Sequence, residues 1–324
     1  MMKMRLAVFN TQPPHRYFGG VERRIIETAK RLQNEADITV YSGTKAGFKT
    51  PTNINGVDLF PCRSTDIVFP LDNWTFNRSI TKKADTLAAD VFEAHAVSGY
   101  GFPKKLKQLC ITKPFIHTIH GVLADEYEQA KVDGHQTLRG KIANRFMHYL
   151  SDLERQTAKD ASLIVTISKY SLEKIQSHYG VDADKVRIVP NGVDIEKYKP
   201  NEDLKRARER FGLGDQPCVL FVGSLIPRKG LHFLVEAAKN VVRVHVNVKF
   251  LIVGDGPIKK QLTQSLLAAK LLDNFIFVNR VEEDVLPTLY NCADVFVLPS
   301  IQEGQGIVLL EAQASGIPVV AFEI

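Results

Sequence analysis

At 324 residues the chain exceeds one ordinary hydrophobic core and fits two domains. Hydrophobic and charged fractions of 44% and 24% are those of a globular protein. No apolar run approaches the roughly 20 residues that cross a bilayer. The start, Met1-Met2-Lys3-Met4-Arg5, leads into only about five apolar-leaning residues (Leu6 to Asn10), too few for a signal-peptide core, so a cytoplasmic protein is expected. The net charge of +6 divides into +7 for residues 1–200 and −1 for residues 201–324. A basic first half suits an anionic partner, either a membrane surface or a phosphate-bearing substrate; it is equally the mark of a solvated basic face. Cys62, Cys110, Cys218 and Cys292 show no metal or redox spacing and are expected to be buried free thiols.

Strand and helix patterns alternate along the chain. Arg5–Asn10 reads as a buried strand, followed by a Pro- and Gly-rich loop. A helix follows over Val21–Asn34 (Val21, Ile25, Ala29 and Leu32 at helical spacing), then a strand at Ile38–Tyr41. Asp90–Glu93 and Pro114–Ile119 are short strands that each run out toward a histidine. Gly140–Lys159 is a long helix with Ile142, Phe146, Leu150 and Leu153 on one face. Ser162–Ser168 and Val186–Val189 complete the strands of the first half. Pro190-Asn191-Gly192-Val193-Asp194 opens a turn-rich boundary that ends near Pro200, before a polar helix. The second half repeats the plan with strands Cys218–Val222, Val248–Val253, Phe275–Val278, Asp294–Leu298 and Pro318–Phe322. Its helices are Gly230–Arg243, Ile258–Lys270, Val285–Asn291 and Gly306–Ala314. Such alternation specifies an α/β protein of two doubly wound domains in series, residues 1–198 and 199–324. Each parallel sheet is covered on both faces, and ligands are expected outside the carboxyl ends of the strands.

Several loops at those strand ends carry chemistry. Gly19-Gly20-Val21-Glu22 opens the first helix; the glycines permit close approach and the helix terminus presents N–H groups to a phosphate, although the same pair also suits a plain helix start. Arg228-Lys229-Gly230 puts two cations on a strand-to-helix loop, where they can clamp a diphosphate. An isolated pair of this kind is commonly a solvated turn, and its place after a strand favours the site. Gly254-Asp255-Gly256-Pro257 lacks the third glycine of a dinucleotide fingerprint and reads as a tight turn shaping a cleft floor. Asp182-Ala183-Asp184 precedes a strand, at the far end of the sheet, so no metal is expected there. In Phe115-Ile116-His117-Thr118-Ile119-His120-Gly121, strand alternation makes His117 a core residue and leaves His120 at the exit facing the cleft, with His95 a weaker candidate. The sharpest signal is Glu303 and Glu311. The first stands on a turn with Gly304 and Gly306, which leave the backbone uncovered. The second stands on the following helix, where it can take two vicinal hydroxyls of the kind a ribose presents. Either alone would read as a turn or solvated helix glutamate.

Together these segments, with Ala293-Asp294-Val295-Phe296-Val297-Leu298-Pro299-Ser300, resemble the retaining, nucleotide-sugar-dependent glycosyltransferases of family 4 (group 1), and the resemblance covers essentially the whole chain. It implies a GT-B fold, two Rossmann-like domains facing a central cleft, with the acceptor on the first and the nucleotide-diphosphate sugar on the second. Lys229 would hold the diphosphate, assisted by Arg228 and by amides at Gly20, Gly304 and Gly306. Glu311 would bind the ribose, Glu303 the transferred sugar, and His120 would lie beside the reacting sugar and its phosphate. Arg280-Val281 would border the base. His120, Glu303 and Lys229 are thus the catalytic candidates. The leaving phosphate would take the acceptor proton on the same face, which retains the anomeric configuration without a DxD metal site. No cofactor is implied beyond the sugar nucleotide as co-substrate, and no nucleic acid. The acceptor would be a sugar, lipid or polysaccharide, with peripheral contact to an anionic inner membrane face through Lys104-Lys105-Leu106-Lys107 and the helix carrying Arg139, Lys141 and Arg145. The chain departs from the family at Ser224, where an arginine is usual and for which Arg228 is placed to substitute, and at Gln305, where phenylalanine is usual. The resemblance also implies about 50 further residues beyond Ile324, set by the usual size of such a domain, so the second domain is expected to be incomplete. A non-catalytic sugar-nucleotide-binding relative and a sugar-nucleotide epimerase are the alternatives. The paired glutamates argue against the epimerase, and no context exists for the pyridoxal lysine of a phosphorylase.

Overall fold

The computed structural model describes residues 3–17, 19–66, 70–132, 138–201, 204–279 and 281–323. The chain divides into two compact units, Met1–Asn191 and Gly192–Ile324, so the division falls within the Pro190–Asp194 segment, ahead of residue 198.

Unit 1 runs β1 (Met4–Asn10), α1 (Gly20–Arg31), β2 (Ala36–Gly43), β3 (Thr52–Ile54), β4 (Val57–Cys62), α2 (Leu71–Thr81), β5 (Val91–His95) and α3 (Phe102–Gln108). It continues with β6 (Phe115–Ile119), α4 (Leu123–Val132), α5 (Leu138–Asp160), β7 (Leu163–Thr166), α6 (Lys169–Tyr179) and β8 (Val186–Ile188). The strands form one sheet in the order β3-β4-β2-β1-β5-β6-β7-β8. The pairs are parallel except β3 with β4, a hairpin turned at Asn55-Gly56, both at positive φ. Sequence reading assigned no strands between Tyr41 and Asp90. The Asn-Gly pair is a strong hairpin signal, but β3 is only three residues long and carries no apolar alternation. β1 shows why the sheet is covered on both faces: Val8 packs with Ile25, Ala29 and Val40 on one side, Phe9 with Phe92, Phe102 and Phe115 on the other. On α5, Leu150 and Leu153 are buried, whereas Phe146, expected on the same face, is 38% exposed, and the side chain of Ile142 lies outside the described residues. Cys110 is exposed, against expectation; the other three thiols are buried and free.

Unit 2 runs α7 (Lys205–Arg210), β9 (Cys218–Val222), α8 (Leu231–Val244), β10 (Lys249–Val253), α9 (Lys259–Ala268), β11 (Phe275–Val278), α10 (Leu286–Asn291), β12 (Val295–Leu298), α11 (Ile307–Ala314) and β13 (Val319–Ala321). Its sheet, β11-β10-β9-β12-β13, is parallel throughout. Its core is a single cluster built on Leu220, Phe221, Leu251, Ile252 and Phe296. The strand order reverses beside β1 in unit 1 and beside β9 in unit 2. At such switch points the loops leaving adjacent strands diverge and open a crevice at the carboxyl ends.

Candidate functional site

In unit 2 the switch point lies between β9 and β12, and the loops that leave them meet. Gly230 makes this possible. It adopts φ +63°, and a Cβ there would overlap the carbonyl oxygen of Pro299. The Ile301 N–H donates to the carbonyl of Arg228 at 2.9 Å. The side chains then converge: Lys229 Nζ pairs with Glu303 Oε2, Arg228 Nη1 lies 3.9 Å from Glu303 Oε1, and Arg228 also donates to the Gln302 carbonyl at 3.2 Å. Ser300 Oγ donates to Glu303 at 3.4 Å. The Lys229 and Glu303 side chains are 12% and 18% exposed, sheltered enough for their charges to act more strongly than an open surface pair. α11 starts just beyond, with Gly306 as its N-cap and no side-chain cap, so its first amides point toward these strand ends. The Gly254–Gly256 turn packs on the same loop. The Leu225 N–H donates to Asp255 O at 3.0 Å, and a Cβ on Gly254 would overlap the carbonyl of Gly223.

Glu311 stands on the helix after Gly306, as expected, with its side chain buried. It is 1% exposed and accepts a 2.7 Å hydrogen bond from Tyr290 Oη. The reason is that α11 is apolar around most of its circumference, and the face carrying Glu311 packs against α10. Val281 is partly buried on the unit 2 core, and Arg280 lies outside the described residues.

In unit 1, Gly20 is the exposed first residue of α1, whose N-cap Gly19 has no side-chain cap. His120 Nε2 lies 2.9 Å from His95 Nδ1 with the rings stacked, so one ring donates and the other accepts. Burial pushes His95 down to about 3 and His120 well below its ordinary value, which keeps both neutral. His95 Nε2 is 3.4 Å from Glu93 Oε1, which accepts from Thr118 Oγ1 at 2.6 Å; burial also raises the Glu93 carboxyl. Sequence reading placed His95 and His120 separately at strand ends; β5 and β6 are adjacent, and the pair follows from that register. His117 is the core histidine expected, fully buried, with Nε2 donating to Ala96 O at 2.5 Å and burial lowering it to about 4. Asp182 and Asp184 flank a short turn before β8, and no group of three His, Cys, Asp or Glu suited to a metal occurs among the described residues. Sequence reading missed Lys45 and Asp72, which form a buried 2.6 Å ion pair between the loop after β2 and the first turn of α2, a helix it did not assign.

No helix among the described residues is long and apolar enough to cross a membrane. Lys104 and Lys107 are exposed on α3, with Lys104 3.6 Å from Asp160; the side chains of Arg139 and Lys141 lie outside the described residues.

Comparison with known proteins fits this arrangement. A glycosyltransferase of Methanocaldococcus jannaschii is 29% identical over 335 residues, covering 99% of this chain and 81% of that protein. A GDP-mannose-dependent alpha-(1-6)-phosphatidylinositol monomannoside mannosyltransferase of Mycolicibacterium smegmatis is 34% identical over 175 residues, which are 52% of this chain and 46% of that enzyme. The solved structure of Anabaena HepE in complex with UDP and glucose superposes with a TM-score of 0.71 at 21% identity, covering 98% of this chain and 80% of that one. Residues 203–324 match the model described as Glycosyl transferases group 1, and residues 18–197, more than half the chain, match Glycosyltransferase Family 4. The chain therefore belongs to glycosyltransferase family 4 and is a glycosyltransferase of the α/β, GT-B type.

Proposed function

We propose that the protein transfers a hexosyl group from a nucleoside diphosphate sugar to a hydroxyl of a sugar, lipid or polysaccharide acceptor, with retention of anomeric configuration and without a divalent metal. The observation that carries this reading is the convergence of Lys229, Arg228 and Glu303 at the unit 2 switch point, beside the uncapped start of α11. Breaking the sugar–phosphate bond builds negative charge on the departing diphosphate. Lys229 and Arg228, with amides at Gly304 and Gly306, would stabilise that charge without reorganising, which is the most effective form of electrostatic catalysis. Glu303, now paired with Lys229, would exchange that partner for hydroxyls of the sugar when the donor enters. The departing phosphate would accept the proton of the incoming hydroxyl on the same face. Glu311, fixed by Tyr290, would hold the ribose, with Val281 beside the base. From unit 1, neutral His120 and the amide of Gly20 would serve the reacting sugar and its phosphate. His95 and Glu93 select which nitrogen of His120 presents its lone pair. Arg228 takes the place of the arginine that Ser224 lacks. Lys104, Lys105, Lys107 and Arg145 would give peripheral contact with an anionic membrane face; equal vesicle sedimentation on neutral and anionic lipid would remove that part.

The mannosyltransferase relative uses GDP-mannose and HepE holds UDP and glucose, so a panel of UDP and GDP sugars is the starting point. One of them should raise the melting temperature and be hydrolysed or transferred in the presence of EDTA, with the product's anomeric coupling matching the donor's. Loss of turnover in EDTA would sink metal independence, and an inverted product would sink retention. Binding of a sugar nucleotide without hydrolysis or transfer to any acceptor would leave a binding protein.

A further inference from the structure

Unit 1 has its own switch point, between β1 and β5, and the loops there enclose a cavity of about 470 Å³. That is within the range of small-molecule sites and has room for on the order of one or two sugar rings. The groups that decide its chemistry are Asn10, Glu22, Lys45, Asp66, Asp72 and Asn73, drawn from the ends of β1 and β4, the first turns of α1 and α2, and the loop after β2.

Among the described lining residues, three carboxylates face a single cation. Lys45 is committed: its Nζ donates to Asp72 Oδ2 at 2.6 Å, with the two side chains 12% and 7% exposed. Neutral partners also hold Glu22 and Asp72. Asn10 Nδ2 donates to Glu22 Oε1 at 3.2 Å and to the Gln12 carbonyl at 2.6 Å. Asn73 Nδ2 lies 3.3 Å from Asp72 Oδ1, while its own oxygen accepts from Thr11 Oγ1 at 2.8 Å. Glu22 and Asp72 are 7% and 5% exposed, so their charges act at close range. A phosphate entering here would meet three carboxylates against one cation, an excess of like charge even if Lys45 left Asp72, and like-charge juxtaposition is a standard way to reject a ligand. An uncharged polyol meets the reverse. Each carboxylate can accept from adjacent hydroxyls, and the amides can both donate and accept.

We infer that this cavity is the acceptor subsite and that it takes a neutral, hydroxyl-rich ring, a hexose or cyclitol, while excluding a phosphate ester at that position. The inference rests on the reading of unit 1 as the acceptor side, and it narrows the acceptor to one whose terminal ring is uncharged.

The test is ligand-observed saturation-transfer NMR on the full chain, with methyl α-mannopyranoside, methyl α-glucopyranoside and myo-inositol, each beside its phosphate ester. At least one neutral ring should bind, on the order of tenfold or more tightly than its phosphate, the factor expected from one hydrogen bond to a charged group. Glu22→Gln, which keeps the shape and the Asn10 contact, should weaken that binding about tenfold by the same reckoning, and Asp72→Asn should do the same if its melting temperature is retained. The donor-induced rise in melting temperature should persist in Glu22→Gln, because Lys229, Arg228 and Glu303 are unchanged and the Gly20 amide is backbone. A phosphate ester that binds as tightly as its neutral parent, binding by none of the neutral rings at millimolar concentration, or unchanged affinity in Glu22→Gln would each overturn the inference. Loss of donor binding with polyol binding intact would instead overturn the proposed transfer reaction and leave this subsite standing.

Discussion

The two units build the same topological feature with opposite chemistry. Each sheet, parallel but for the β3–β4 edge of unit 1, reverses its strand order beside one central strand, and in each the loops at the reversal carry the ionisable groups. In unit 2 these are Arg228 and Lys229 against Glu303; in unit 1 they are Glu22, Asp66 and Asp72 against Lys45. The fold supplies a crevice, and the loop side chains set which charge it accepts. The interiors differ too. Unit 1 buries Glu22, Asp72, His95, His117, Asp125 and Glu154, whereas Glu311 is the buried carboxylate of unit 2 among the described residues. Unit 1 therefore ties its fold to protonation states more heavily than unit 2 does.

The largest effect should come from Lys229→Ala. Removing one preorganised group that stabilises developing charge typically costs about 10²- to 10³-fold in turnover. Here kcat/KM should fall by that order while the melting temperature moves by little, because the lysine sits on a loop outside the unit 2 core. Steady-state kinetics beside thermal melts checks both. If Lys229→Ala unfolded the protein, or weakened binding of a neutral polyol instead of the donor, the contrast between the two switch points would be wrong.

How much of this was legible in the chain follows the same division. Unit 2 was read almost residue by residue: Cys218–Val222 and Phe275–Val278 match, and its helices differ by one or two residues at their ends. Apart from Lys249 its strands are short apolar runs, most of them flanked by a glycine or a proline, which is the clearest pattern a buried parallel strand offers. Lys229 and Glu303 were each placed on a loop that follows a strand, but their pairing was not read, since it depends on β9 and β12 being neighbours. In unit 1 the edge hairpin and the helices α2, α3, α4 and α6 were missed. Asp72 and Asn73 lie in the first turn of α2, and Lys45 follows β2, so the polar cavity was invisible while those elements were unplaced. The burial of Glu311 was not legible either, since it depends on Tyr290 reaching it from another helix.

The next effect is on stability against pH, and it should appear in unit 1. Burial pushes the Glu154 carboxyl up to about 8; it sits against Tyr179 Oη and accepts from the Leu123 N–H at 3.1 Å. A group that binds its proton more tightly when folded stabilises fully below its unfolded pKa of about 4.5 and loses that contribution as pH rises through about 8. His95 and His117 act the other way: lowered to about 3 and about 4 from 6.5, they stabilise above 6.5 and lose it as pH falls. Together they place the stability maximum of unit 1 near 6.5, with a net loss on the order of 1 kcal/mol between there and pH 8, because the histidines still gain while Glu154 loses, at about 1.4 kcal/mol per proton per pH unit. Hydrogen exchange followed by mass spectrometry across pH 5 to 8 would resolve the units. Glu154→Gln should flatten the alkaline limb, and an alkaline limb that survived in this variant would remove Glu154 as its cause.

A local loss should follow Gly230→Ala. The added methyl meets the Pro299 carbonyl at a backbone conformation that disfavours any side chain. The loops after β9 and β12 must separate, at a cost on the order of 1–3 kcal/mol. Because that separation also parts Lys229 from Glu303, donor binding should weaken while unit 1 is unaffected. A Gly230→Ala protein with wild-type donor affinity would show that the contact between these loops does not position the cations.

The smallest change is Tyr290→Phe, and it sharpens the contrast most directly. Tyr290 is fully buried, and its hydroxyl donates at 2.7 Å to Glu311 Oε2. The variant keeps the ring, which packs with Phe296 and Tyr198, and deletes one donor to a buried carboxylate. That costs about 1–3 kcal/mol of stability. If Glu311 also grips the donor, its carboxylate will be less firmly oriented in the variant, and donor affinity should drop by a few-fold, roughly 1 kcal/mol or less. Polyol binding in unit 1 should stay at the wild-type value. A lowered melting temperature with unchanged donor affinity would make Glu311 a packing residue of unit 2, and the donor site would then consist of the loops after β9 and β12 without the helix that follows them.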